Sequence, residues 1–258
     1  FFKQKTAYEI ADRDWSSECA LPIYVRTIEV TPNMTVRAKL NRLALEMVGD
    51  CSWPEHVSIH RVPFKVALQT KTHALFFGES PTVTYGGPDG TDDIQTMSQR
   101  WASEFAGFLG LRADDFVGLE GITDRDMDDY RAPSDAQLKE ADVTAYFLGA
   151  LEPWDSHRNA KVAAEHGMRQ ELPSVANLWP HENLDSAQVF AHDRLMWCKF
   201  AYGRGCMQAS IDARNGVWTR EQALRWVQEH DHLFPLAYAG VPVEEILDRI
   251  GLDLPRFH

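Results

Sequence analysis

From Tyr24 onward the chain alternates β-branched runs with segments of helical spacing, and this rhythm constrains the fold more than any other feature. Residues 25–30 form a short β-branched run stopped by Thr31-Pro32-Asn33. Val36, Leu40, Leu43 and Met47 then recur at helical steps until Gly49-Asp50, and a second helix is predicted from Trp53-Pro54 to about Thr70. Residues 73–77 read as a buried strand, with Gly78-Glu79-Ser80-Pro81 at its carboxyl end. Strand, helix, helix, strand predicts an α/β sheet whose ligands sit beyond the carboxyl ends of the strands.

Downstream, residues 101–109 read as helix, 114–133 as an acidic surface segment and 143–148 as a strand. Ser134 to Gln137 and Thr219 to Gln222 have capping-box spacing. Asp155 can cap a helix ending before Gly167, and Leu184, Ala187, Ala191, Leu195, Cys198 and Tyr202 form an apolar stripe. Pro242 opens a helix that Gly251 closes. The reading is an incomplete α/β domain over 24–150, followed by a helical region over 151–258 packed on it.

Residues 1–23 stand apart. Lys3-Gln4-Lys5-Thr6-Ala7-Tyr8-Glu9-Ile10 is what AAG CAG AAG ACG GCA TAC GAG AT would encode, a string that resembles a sequencing adapter. Asp14 to Ile23 resembles the second part of that adapter, so the segment is set aside as non-native and expected to share no core with the rest. It carries three basic and four acidic residues, so the net charge of −12 becomes −11 without it. Such a balance argues against nucleic acid as principal partner, since phosphate backbones need excess Lys and Arg. No apolar stretch approaches the ~20 residues that span a bilayer. Four scattered Cys without a CxxC pair point to a reducing, cytoplasmic setting and no structural zinc.

Candidate chemistry lies where strands end. Glu79 faces the usual ligand crevice or is a solvated loop residue, and Trp154-Asp155 sits equivalently, with helix capping as the competing role for Asp155. Lys199, Arg204, Asp212 and Arg214 gather around Tyr202-Gly203-Arg204-Gly205, where glycines permit close approach and the basic groups suit phosphate or carboxylate. Surface pairing of Asp212 with Arg214 is the alternative. His192-Asp193 and His230-Asp231-His232 invite a metal, but no HExxH-type spacing supports one, and no Walker, GxGxxG or GxSxG string occurs.

Three stretches together resemble the N-acetyl sugar amidotransferase family of PP-loop ATP pyrophosphatases. They are Thr31-Pro32-Asn33 to Arg42 with Gly49-Asp50 and Trp53-Pro54-Glu55-His56; Gly78 to Pro81 with Tyr85-Gly86-Gly87-Pro88; and Tyr146 to Gly149, Pro153-Trp154-Asp155, Tyr202-Gly203-Arg204 and Gln208 to Gly216. The last string has no evident packing explanation in the sequence. The resemblance implies a HUP-like, Rossmann-like parallel sheet with helices on its faces. It further implies ATP with Mg, an N-acetylated sugar substrate, and a glutaminase subunit supplying ammonia. The product would be an acetamidino sugar for bacterial surface polysaccharide or nonulosonic acid. On this resemblance Glu79, Asp155, Arg204 and Asp212 are the catalytic candidates. Tyr85, Gly86, Gly87, Trp154, Lys199, Tyr202 and Arg214 are the binding candidates. The family's Ser-Gly-Gly-Lys-Asp-Ser string and N-terminal Cys pairs are absent, so the chain is expected to be an inactive carboxyl-terminal part. Competing readings are a tRNA-thiolation or NAD-synthase-like PP-loop enzyme, or a non-catalytic partner-binding module.

Overall fold

Val36, Leu40, Leu43 and Ala44 are buried at three- and four-residue steps along α1 (Met34–Val48) in the computed structural model, which describes residues 2–3, 28–78, 96–152 and 155–257. Asn33 starts this helix by accepting from the backbone N–H of Thr35 at 3.1 Å and of Val36 at 3.3 Å. Gly49 ends it with φ +64, in the left-handed region that a helix C-terminus favours. The described chain forms two compact units whose division falls within α1 after Leu40. The first holds 28–40 and Trp53–Asn159, and the second holds Asn41–Ser52 and 160–257.

In the first unit, α2 (Trp53–Thr70) packs its buried face, including Trp53, Val57, His60, Phe64 and Ala67, against aromatic neighbours. Trp53 lies 4.5 Å from Phe116 and 5.8 Å from Tyr130, ring to ring. Residues 113–130 are therefore more than an acidic surface segment. Three 3₁₀ turns, Ala113–Phe116, Leu119–Gly121 and Arg125–Tyr130, bury Phe116, Ile122, Met127 and Tyr130 while their carboxylates face solvent. Irregular spacing hides that apolar face from a periodicity test. Arg61 staples α3 (Gln99–Phe105) to α2 by donating to Gln99 Oε1 and, at 2.8 Å, to Ser103 Oγ.

Helix, strand and helix alternate as the sequence predicts, but the sheets are small. β1 (Phe2–Lys3) pairs in parallel with β2 (Ile28–Glu29), so a piece of the adapter-like segment does bond to the rest; the remainder of 1–23 lies outside the described residues. β3 (Ala74–Phe77) pairs in parallel with β4 (Thr144–Phe147), with Ala74 opposite Thr144 and Phe77 opposite Phe147. The strand predicted to be buried is buried on one face only. Leu75, Phe77, Ala145 and Phe147 point inward, whereas Phe76 is 59% exposed. A parallel sheet covered on both faces would bury both sets, so the described pair is one-sided. Between the two strands comes α4 (Asp135–Glu140), opened by the predicted capping box: Gln137 N–H donates to Ser134 Oγ at 3.2 Å, and Ser134 N–H donates to Gln137 Oε1 at 2.9 Å. After β4 come α5 (Leu148–Leu151) and α6 (Ser156–Glu165).

The second unit is built from α7 (Val189–Phe200), α8 (Arg204–Arg214), α9 (Arg220–His230), the antiparallel pair β5 (Ala237–Tyr238) and β6 (Val241–Pro242), α10 (Val243–Asp248) and α11 (Leu254–Phe257). Its core joins Cys51, Ala187, Phe190 and Ala191 to Tyr238, Val241, Val243, Ile246, Leu247 and Ile250. The predicted stripe holds at Ala187 and Ala191 but not beyond, since Cys198 and Tyr202 are exposed.

Two outcomes test this packing. Arg37 is 1% exposed and donates from Nε at 2.9 Å and Nη2 at 2.5 Å to Glu55 Oε1, whose side chain is 18% exposed. Arg37→Met should cost ~2–3 kcal/mol in urea unfolding by removing the guanidinium that pairs with the largely buried Glu55 carboxylate, and Arg37→Met with Glu55→Leu should cost less; a double variant no better than the single contradicts the pairing. Burial holds the His60 imidazole below its ordinary value, at about 4. Its folded pKa lies below the unfolded 6.5, so the unfolded chain binds the extra proton. Stability is intact above pH 6.5 and should fall by ~3 kcal/mol as the pH drops through 4. His60→Leu should flatten that part of the profile, and an unchanged slope would count against it.

Candidate functional site

The Tyr202-Gly203-Arg204-Gly205 string opens α8, and its glycines are points of close packing. Asp231, 5% exposed just past α9, accepts from Gly203 N–H at 2.7 Å and Cys206 N–H at 2.9 Å. A carboxylate there satisfies orphan amides and the positive end of the helix. A Cβ on Gly203 would lie 2.9 Å from Asp231 Oδ1. On Gly205 it would lie 2.4 Å from Trp226 Cζ3 and 2.6 Å from the Ala176 carbonyl oxygen, so only glycine lets α9 approach. Burial and the Asp231 charge push the Cys206 thiol up, away from reactivity.

Arg204 is the candidate that meets a cavity. Asp193 Oδ1 accepts from its Nε at 3.1 Å and lies 3.0 Å from its Nη2, with the two side chains 17% and 13% exposed. Tyr238, 1% exposed, donates its hydroxyl to Asp193 Oδ2 at 3.4 Å. Burial alone would lower the Arg204 pKa, but the charges of Asp193 and Glu182 outweigh it and raise it. Burial, reinforced by Asp193, pushes the Tyr238 phenol up, so it stays a donor. Arg204, Asp193 and Tyr238 line, together with Phe190, Trp197 and Leu233, a mostly apolar cavity of about 20 Å³, space for one water-sized group. No protein acceptor among the described residues takes Arg204 Nη1.

The other basic and acidic candidates of this unit go elsewhere. Lys199 Nζ donates to the Val48 carbonyl at 2.9 Å, along the face where Gly49 leaves no side chain. Asp212, 2% exposed, accepts from Trp179 Nε1 at 3.1 Å, and Arg214 donates to Ser210 Oγ at 2.8 Å. Gln208, one turn before Asp212, accepts from Leu178 N–H at 2.7 Å and donates to Glu182 Oε2 at 2.5 Å. The Gln208 to Asp212 string thus has the packing explanation that the sequence does not reveal: it pins the 177–182 segment onto α8. Tyr202 is exposed and stacks on Phe200, ring centroids 6.0 Å apart.

In the first unit, Asp155 does what its capping role predicts and accepts from Arg158 N–H at 2.9 Å. Glu79, Tyr85, Gly86, Gly87 and Trp154 lie outside the described residues. An apolar groove of about 550 Å³, lined by Ile59, Val62, Val66, Leu75, Phe76 and Leu148, carries no ionisable side chain among its described residues. His192 pairs with Asp50 at 3.0 Å and His230 stacks on Trp226; among the described residues no group of three His, Cys, Asp or Glu gathers for a metal. The sequence singles out Asp193 only as half of a metal-like His192-Asp193 pair; its pairing with Arg204, eleven residues on, is what the sequence misses, because that spacing is too common to single out. No known protein-family model matches the chain, and no curated protein matches it in sequence.

The close α8–α9 approach predicts that Gly205→Ala lowers stability by ~1–2 kcal/mol, because the clash with a ring and a carbonyl outweighs the helix propensity gained. A thermal midpoint at or above that of the wild type would refute the contact.

Proposed function

We propose that the chain is the carboxyl-terminal part of an ATP-dependent, AMP-forming amidotransferase that acts on an N-acetylated sugar. In this reading β3 and β4 belong to a larger Rossmann-like sheet of the PP-loop type. The sugar's amide oxygen attacks the α-phosphorus of ATP, and pyrophosphate leaves. Ammonia from a glutaminase partner then adds to the adenylated carbon, AMP departs with the former amide oxygen, and an acetamidino group remains. Adenylation is needed because an amide oxygen leaves poorly, and a closed site limits hydrolysis. Mg would accompany ATP, and the reaction belongs in the cytoplasm.

The observation that carries the reading is Arg204, a guanidinium fixed in the family-like string beside a small cavity, with its Nη1 edge unused by protein acceptors among the described residues. Such an edge suits a phosphate or developing negative charge. Asp212 and Gln208 fix the neighbouring 177–182 segment onto α8. The packing roles of Gly203, Gly205 and Asp212 favour one second reading, a non-catalytic partner-binding module.

The test joins this chain to an upstream segment carrying the Ser-Gly-Gly-Lys-Asp-Ser string and measures AMP release with ATP, an N-acetyl sugar nucleotide and ammonia. Release should require all three, and Arg204→Ala should lower it at least ~10-fold, about 1.4 kcal/mol of transition-state stabilisation. Absence of sugar-dependent AMP release leaves the module reading standing instead.

A further inference from the structure

Arg204 is a long side chain at the first turn of α8, and four torsions separate its guanidinium from the backbone. Left to itself, such a group loses considerable rotamer entropy each time it meets an anion. Here the entropy is already lost. Asp193 Oδ1 lies against both Nε and Nη2, which fixes the plane of the guanidinium. The second oxygen of Asp193 accepts from the Tyr238 hydroxyl. Tyr238 is itself immobile, with its ring in the core beside Val241, Ile246 and Leu247 and its strand paired to β6. Asn177, whose Oδ1 accepts from Ser174 Oγ at 2.5 Å, lines the same cavity. The order of support runs from core to Tyr238, to Asp193, to Arg204, to the cavity.

We infer that Asp193 is the positioning residue of this site: it orients Arg204 toward an oxyanion, with Tyr238 as its anchor. The inference rests on the amidotransferase reading for the identity of the anion, the phosphate of ATP or of the adenylated intermediate. It adds to that reading two residues that the family-like strings do not contain. A purely structural ion pair would make the same contacts but would not care what the guanidinium faces. The two roles separate when the guanidinium is supplied from solution.

The experiment uses the same AMP-release assay on the intact enzyme. Wild-type release is measured first. Its absence overturns the amidotransferase reading and the positioning role with it, while with release present the rescue and the Tyr238→Phe result bear on the positioning role. Arg204→Ala should lose at least ~10-fold in kcat/KM, and free guanidinium chloride should restore several-fold. Adding Asp193→Asn to Arg204→Ala should abolish the rescue, because nothing then holds the added cation. Asp193→Glu in the same background should keep part of it. Rescue of equal size with and without Asp193 would overturn the proposal. Tyr238→Phe removes one oxygen and leaves the core ring in place, so it serves where Asp193→Asn fails to fold. It should lower kcat several-fold with KM little changed, and an unchanged kcat would likewise overturn the proposal.

Discussion

The second unit depends on one carboxylate. Asp231 is buried at the end of α9 and takes two backbone amides at the start of α8. Those amides have no helical partner, and leaving them buried and unpaired would cost ~1–3 kcal/mol each. Their satisfaction fixes where α8 begins and how close α9 lies. That closeness in turn forbids a side chain at 205 and restricts 203. Arg204, between the two, is therefore placed by backbone constraints before its own side chain makes any contact. Asp193 then sets the guanidinium.

Much of the local structure was legible because it is set by neighbours in sequence. The steps of α1, the length of α2, both capping boxes and the Asp155 cap follow from residues within a turn or two. What was illegible is set at long range. The one-sided burial of β3 depends on what covers it, and an apolar run such as Ala74 to Phe77 looks the same either way. The buried face of 113–130 has no period. Asp231 meets Gly203 across 28 residues and Gln208 meets Leu178 across 30, so no spacing rule announces either contact.

The candidate site shows the same division. The sequence offered Arg204 to a phosphate or carboxylate and weighed a surface pair of Asp212 with Arg214; in the structure Arg204 pairs with Asp193, while Asp212 takes Trp179 and Arg214 takes Ser210. The polar string from Gln208 to Asp212 looked chemical because the sequence offers no packing explanation for it. In the structure those side chains serve packing, by holding the 177–182 segment. Among the described residues of that cluster, the arrangement is narrower than the sequence implied: one guanidinium edge, the Asp193 carboxylate that holds it and a small cavity beside them.

Since that arrangement hangs on the α8 N-terminus, amide hydrogen exchange at Gly203 and Cys206 tests it most directly. In the native protein both amides should exchange slowly, like the amides in the middle of α8. Asp231→Ala should speed those two by at least ~10-fold, equivalent to about 1.4 kcal/mol of lost protection, while amides in the middle of α9 keep theirs. Unchanged protection at Gly203 and Cys206 in the variant would contradict the claim that Asp231 sets the helix start and, through it, the place of Arg204.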